Sequence, residues 1–361
     1  MNLLMIVMPP LLAWCIHIFL RQDELGRKKK VFFFLFYFVL INLFTFAVSY
    51  IRGVTELRFD NMTLTYKIKY MCMGCAWAFV LPFFVGIFTD ERGKRQGIGR
   101  YVSKFVHDMK SYMHYAFWEA RAELRSEVSN SYLDWLWWLI EPICMMMIYT
   151  LIFGVVFRAS EPYFSVFIFI GLSMWSFFSR CVNSSVNLIR SNRAIITKIY
   201  MPKFILLIAR MLVCGFKMMI SFGVVGVMMI VFRIRPTICI IYVIPILLIL
   251  FLFTFGICSI FMHYGVYVSD LSYIIGIVLT MMMYMTGVFY NVEKRIPAPF
   301  GEMLQRYNPM AFLMSSMRGA LLYGQAPDWT MMGVWTLISL VLVVFGVFTI
   351  YRNENAYVKI I

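Results

Sequence analysis

Arg180, Ser184, Asn187 and Ser191 recur along one apolar run at steps of four, three and four. Arg210, Cys214, Lys217 and Ser221 repeat that spacing on the next run. Such steps put each set on one face of a helix. A charge at mid-bilayer costs about 2.5–3.5 kcal/mol on insertion scales, so a face of this kind turns toward protein or water. Two readings stay open. The stripes line a polar translocation path or hold an anionic headgroup; or they pack, with Arg210 snorkelling and Arg180 paired with Glu141.

Aromatic rings add a second ingredient. Tyr149 and Phe153 share a face of one run, Trp175 and Phe178 sit on the next, and Tyr284, Phe289 and Tyr290 close a later one. Flat apolar rings with polar edges stack on sugars. Packing in a core or against lipid is the other reading of each ring.

Bond-making chemistry is thin by comparison. His17, His107, His114 and His263 are scattered, and none joins a serine or cysteine in a recognisable elbow. Carboxylates do not cluster as a metal-dependent transferase would need. No catalytic or metal-binding residue is assigned. His263 and Asp270 are the nearest candidates for a membrane acyl- or glycosyltransferase, and they lack a motif. Cys72 and Cys75 (CMGC) have redox or zinc spacing but no second pair, so packing is the better reading. The remaining cysteines also lie in or beside apolar runs, where a thiol acts as a small apolar group. GKRQGIGR, from Gly93 to Arg100, is glycine-rich and basic but lacks GxxxxGK[ST]. The chain is therefore expected not to hydrolyse ATP alone. No acid falls deep in a span except Glu141, near a helix entrance, whereas ion-coupled carriers place carboxylates at mid-membrane.

The elements that carry these residues follow from composition. The 361 residues are 62% hydrophobic and 14% charged, with mean hydropathy +0.79. A soluble domain is nearer half apolar and a quarter charged. The net charge of +15 sits in short loops rather than on a basic face, which fits a polytopic membrane protein and excludes nucleic acid as partner. Apolar runs at 2–20, 31–51, 70–89, 134–157, 163–189, 204–232, 237–262, 272–290 and 331–350 give about nine spans. The first contains Pro9 and Pro10 and lacks a basic leader, so it is read as a bent or interfacial helix rather than a cleaved signal. Basic residues in 21–30, 90–110 and 190–203 place those loops in the cytoplasm, the N-terminus outside and the C-terminus inside. Arg233 and Arg235 run against that trend.

Two segments are neither spans nor plain loops. In 109–131, Met109, Met113, Phe117, Ala120, Leu124 and Val128 form an apolar face, while Lys110, His114, Arg121 and Arg125 take other faces. The spacing predicts an amphipathic helix in the membrane interface. It leads into Trp135, Trp137 and Trp138, which mark a membrane boundary ahead of Glu141 and Pro142. In 291–330, Pro297, Pro299, Pro309 and Pro327 divide short apolar pieces into two half-helices that dip back into the outer leaflet. The expected fold is an all-α integral membrane bundle with an interfacial helix and an external re-entrant hairpin.

Three motifs carry a family resemblance: SEVSNSYLDWLWWLIEP, SNRAIITKIYMPKFILL and FYNVEKRIPAPFGEMLQRYNPMAFLMSSMRGALLYGQAPDW. They resemble, in order, the surface helix with first span, the cytoplasmic coupling helix, and the external gate hairpin of type-2 ABC exporters that move polysaccharides. These are the O-antigen, capsule and teichoic-acid permeases. The resemblance covers residues 109–361. It implies a six-span core at 106–361, preceded at 1–105 by an extension of three spans without counterpart. It implies a homodimer in the bacterial cytoplasmic membrane, bound by two separate ATPase subunits, with ATP used by the partner and no cofactor on this chain. The cargo is a lipid-linked glycan. Coupling falls to the segment 190–203, with Arg190, Arg193, Lys198, Tyr200, Pro202 and Lys203. The substrate path is assigned Glu141, Tyr149, Phe153, Trp175, Phe178, Arg180, Lys217 and Tyr290. The external gate is assigned Pro299, Asn308, Pro309 and Arg318. Asp134 stands where the family commonly has glycine, and Arg180 and Lys217 are unusual in these spans. A permease for a drug or small lipid, and a membrane transferase, are the competing expectations.

Overall fold

A computed structural model describes residues 2–20, 33–43, 74, 98–129, 132–157, 161–198, 200–297 and 300–360. Every extended element among them is helical, so the all-α expectation holds for the described residues. The chain divides into two compact units, Met1–Arg95 and Gln96–Ile361.

The first unit contains α1 (Asn2–Leu20) and α2 (Phe33–Leu43). Ala13, Phe33, Tyr37 and Ile41 form their shared core, with Leu12 and Trp14 packed against it. Trp14 meets Phe34 edge-on at 5.8 Å. Asn42 donates to the Ile6 and Phe38 carbonyls at 3.2 and 2.8 Å, which satisfies its amide within an apolar pair. Apart from Gly74, the third expected span, with Cys72 and Cys75, lies outside the described residues, as do residues 93–97.

The second unit opens with α3 (Ile98–Val128), longer than the predicted 109–131. There follow α4 (Trp137–Val156), α5 (Phe164–Ser191), the short α6 (Arg193–Ile196), α7 (Phe204–Val231), α8 (Ile238–Tyr267) and α9 (Leu271–Met285). Then come α10 (Val292–Arg295), α11 (Phe300–Tyr307), α12 (Pro309–Arg318) with its π-helical continuation Gly319–Tyr323, and α13 (Trp329–Ile360). Among the described residues, α4, α5, α7, α8 and the Trp329–Glu354 part of α13 are long and apolar enough to cross a membrane.

The core centres on α5, whose stretch from Val166 to Trp175 is buried on every face. That pattern marks a helix enclosed by others rather than one facing lipid. Close backbone approach locks α13 to α8: a Cβ on Gly256 would sit 2.6 Å from the Leu342 Cβ, and one on Gly346 would sit 2.5 Å from the Ser259 Cβ. Small residues at such crossings replace the hydrophobic driving force that lipid cannot supply.

The predicted span 272–290 ends early. Its helix stops at Met285 after 15 residues, about 22 Å, whereas a bilayer core is about 30 Å thick. Gly287 follows with φ +74, a turn that glycine takes without strain. Composition reads straight through this point because, Thr286 apart, the residues from Met281 to Phe289 are apolar or aromatic or glycine.

Side-chain contacts gather the loops at two ends. Arg190 donates to the Val266 carbonyl at 2.9 Å, and Tyr200 meets Glu354. At the opposite end Tyr163 meets Phe232, Tyr242 meets Trp329, and Lys294 pairs with Glu161. Successive long helices therefore alternate in direction.

Candidate functional site

The segment between α5 and α7 is fixed from within and exposed outside. Arg190 and Ser191 still belong to α5, and helix resumes only over Arg193–Ile196. The expected continuous coupling helix over 190–203 is thus one short turn followed by an irregular strap, because Pro202 bars helix in the residue before it. Asn192 donates to the Leu188 carbonyl at 2.8 Å and Thr197 to the Arg193 carbonyl at 2.9 Å. Ile196, Pro202 and Lys203 are buried, while Arg193, Lys198 and Tyr200 face outward.

Beneath that strap lies a charged cluster. The Tyr200 hydroxyl accepts from Lys104 Nζ on α3 and donates to Glu354 Oε2 on α13, each at 3.5 Å. Tyr351 donates to Asp108 at 2.7 Å and lies under the Lys104 ammonium at 4.7 Å. Lys203 donates to the Met201 carbonyl at 3.0 Å. Burial lowers the Lys203 ammonium from the usual lysine range, and Glu354 works in the other direction. Lys104, Asp108 and Glu354 were not singled out from the sequence, since nothing local marks them; the contacts span 96 to 243 residues.

The intramembrane bases find carboxylates. Arg210 pairs with Glu123, and Lys217 pairs with Glu127 at 2.5 Å, both acids on the last turns of α3. Lys217, expected on the substrate path, therefore has its charge met inside the chain. No local pattern marks these pairs: the acids are four residues apart and the bases seven, rises of about 6 and 10.5 Å that long side chains bridge. Phe117 and Trp118 lie outward on α3, whereas Ala116 and Ala120 are buried against the bundle. Of the predicted apolar face, Ala120 is buried, Met109, Met113, Leu124 and Val128 are half-buried, and Phe117 alone faces outward. Arg180 Nη2 donates to Glu141 Oε1 at 2.7 Å, the pairing that the packing reading anticipated. An ion pair open to solvent is worth no more than about 1 kcal/mol. Ser184 and Ser191 donate to carbonyls of their own helix, which leaves Asn187 as the exposed polar group beyond Arg180 on that stripe.

The aromatic candidates separate into two groups. Trp175 and Phe178 are 4% and 3% exposed and pack in the core, Phe178 against Phe253 at 6.0 Å. They face the bundle interior, on the side of α5 away from the exposed Arg180 and Asn187. Tyr149 and Phe153 instead converge on Phe289, each with centroids 4.6 Å away. Tyr290 donates to the Tyr284 carbonyl at 2.7 Å and completes this group. Phe289 is the ring that joins α4 to the end of α9.

The helical hairpin after α9 is held at several points. Asn308 caps α12 by accepting from the Met310 and Ala311 amides at 3.1 and 3.4 Å, with Pro309 at the first helical position. Arg318 is fully enclosed and donates to the Phe167, Gly287 and Val288 carbonyls at 3.1, 2.8 and 2.8 Å. Its guanidinium lies 3.6 Å from the Phe167 ring centroid. Glu161, between α4 and α5, accepts from Lys294 and Tyr323. Pro299 lies outside the described residues.

His263 is buried, 2.8 Å from the Tyr357 hydroxyl and ringed by Tyr264 and Tyr267. That enclosure leaves a transferase no accessible base at this position. Among the described residues, no group of three or more His, Cys, Asp or Glu could hold a metal ion.

Residues 118–322 match the family described as ABC-2 type transporter. The chain is 25% identical over 240 residues to an O-antigen export system permease protein RfbA of Klebsiella pneumoniae, covering 66% of this chain and 92% of that protein. It is 28% identical over 203 residues to a second RfbA of that organism, covering 56% and 78%. It is 26% identical over 257 residues to the RfbA of Myxococcus xanthus, covering 70% and 98%.

Proposed function

The chain belongs to the ABC-2 type transporter family, an integral membrane permease that works with an ATP-binding partner subunit, and from that premise we propose that it exports a lipid-linked polysaccharide of O-antigen type. Two copies would form the pathway in the cytoplasmic membrane of a bacterium, with two ATPase subunits bound below. The observation that carries the reading is the strap at 192–203, which offers Arg193, Lys198 and Tyr200 outward while Tyr200 also touches α3 and α13. A motor closing on the strap moves both helices together. Such gating shifts the balance between packed states and makes no bonds. The hairpin carrying Asn308, Pro309 and Arg318 would dip into the outer leaflet as the external gate. The rings Tyr149, Phe153 and Tyr290 supply faces for passing sugars, and Arg180 a cation for the headgroup.

Deleting the gene should leave glycan assembled but held on the cytoplasmic side, which surface labelling against whole-cell glycan content measures. The chain should also co-purify with its neighbouring ATPase. Undiminished surface glycan in the deletion strain would refute the export reading.

A further inference from the structure

Arg180 and Glu141 form a pair unlike the others. Both lie in candidate spans, α5 and α4, yet their side chains are 48% and 55% exposed. Among the described residues one contact joins them, Nη2 to Oε1. Arginine offers five donors in a rigid fork, so this contact leaves most of that fork open. Arg318, by comparison, gives its fork to three buried carbonyls, and Lys217 is 19% exposed. Charges in an apolar span do not face hydrocarbon, so the open side of this pair faces water or a charged group. Its depth is also marked. Glu141 lies one helical turn from Trp137 and Trp138, residues that favour the headgroup level.

We propose that Arg180 is an oxyanion site for the phosphate of a substrate headgroup and that Glu141 is its built-in competitor. The proposal rests on the export reading and adds how the headgroup is sensed. The carboxylate holds the guanidinium until a phosphate arrives. Phosphate oxygens match the guanidinium fork bidentately and repel Glu141, so the two anions exclude each other. Displacement removes the polar tie between α4 and α5 at this depth, while aromatic contacts such as Trp138 on Phe216 and Tyr149 and Phe153 on Phe289 persist. Arrival of a phosphate-bearing headgroup therefore loosens one end of α4, and a neutral headgroup does not.

The test uses the full chain purified with its ATPase subunit. Native mass spectrometry measures retention of phosphatidic acid against phosphatidylcholine, with inorganic pyrophosphate as soluble competitor. Glu141→Gln should bind phosphatidic acid about threefold tighter than wild type, the gain expected when a weak competing pair is removed. Arg180→Gln should lose the preference over phosphatidylcholine, and Arg180→Lys should keep part of it. Displacement by pyrophosphate would show that a free phosphate group suffices; retention against it would show that the lipid chain is required, and either supports the site. A Glu141→Gln variant that binds no tighter than wild type overturns the proposal, including where Arg180→Gln fails to fold. Glycan export reads the underlying function separately, so equal binding with normal export sinks this inference alone.

Discussion

The Nη2 of Arg318 occupies the space that a side chain on Gly171 would fill. The central helix α5 lacks a Cβ at this position, and a guanidinium from the hairpin passes there to reach the Phe167, Gly287 and Val288 carbonyls. Hairpin, α5 and the break after α9 are thereby one fastened unit. Gly171→Ala should lower stability by about 1–3 kcal/mol, since the methyl must expel or bend the guanidinium. Thermal unfolding in detergent measures this. Gly171→Ala combined with Arg318→Ala should cost less than the two single losses added together.

Lys217 on α7 and Glu127 on α3 form an ion pair at 2.5 Å. Lys217→Glu should lose on the order of 1 kcal/mol, with like charges now facing one another across a partly solvated contact. Adding Glu127→Lys should recover most of the melting temperature and the export rate. A Lys217→Glu variant that melts normally would place this contact outside the stabilising set.

Tyr200 links strap, α3 and α13 through its hydroxyl. Tyr200→Phe keeps the ring and removes that link. The complex with the ATPase should still assemble, and ATP hydrolysis should continue while glycan export falls several-fold. Parallel loss of hydrolysis and export would instead point to a contact needed for motor binding itself.

Phe289 stacks on Phe153 with planes 9° apart. Phe289→Leu retains apolar bulk and removes the flat face. Because Phe289 is 2% exposed, the melting temperature should fall, by the equivalent of about 1 kcal/mol, and export of long glycans should slow only as Tyr149 and Phe153 lose the ring that supports them. An unaltered rate would assign the ring to packing alone.

Several elements were legible in the residues themselves. The expected spans 163–189 and 204–232 differ from α5 and α7 by at most two residues at either end, because apolar length bounded by basic loops is a local property. The pairing of Arg180 with Glu141 was among the readings open from sequence. Trp175 and Phe178 were harder. A ring facing a path and one enclosed in a core have the same composition, and only neighbours such as Phe253 distinguish them. The end of α9 depended on the backbone at Gly287, which hydropathy does not register. The cluster of Lys104, Asp108, Tyr200 and Glu354 joins parts of the chain too distant for any motif to connect.

The brevity of α9 bears on leakage. Resistance of a membrane to polar solutes is set where its oily layer is thinnest, and a 15-residue helix insulates about 22 Å of it. The remainder of the barrier beyond Met285 has to be made of protein. Damage there should first be felt as a passive inward trickle of protons, well before any polymer fails to leave the cell.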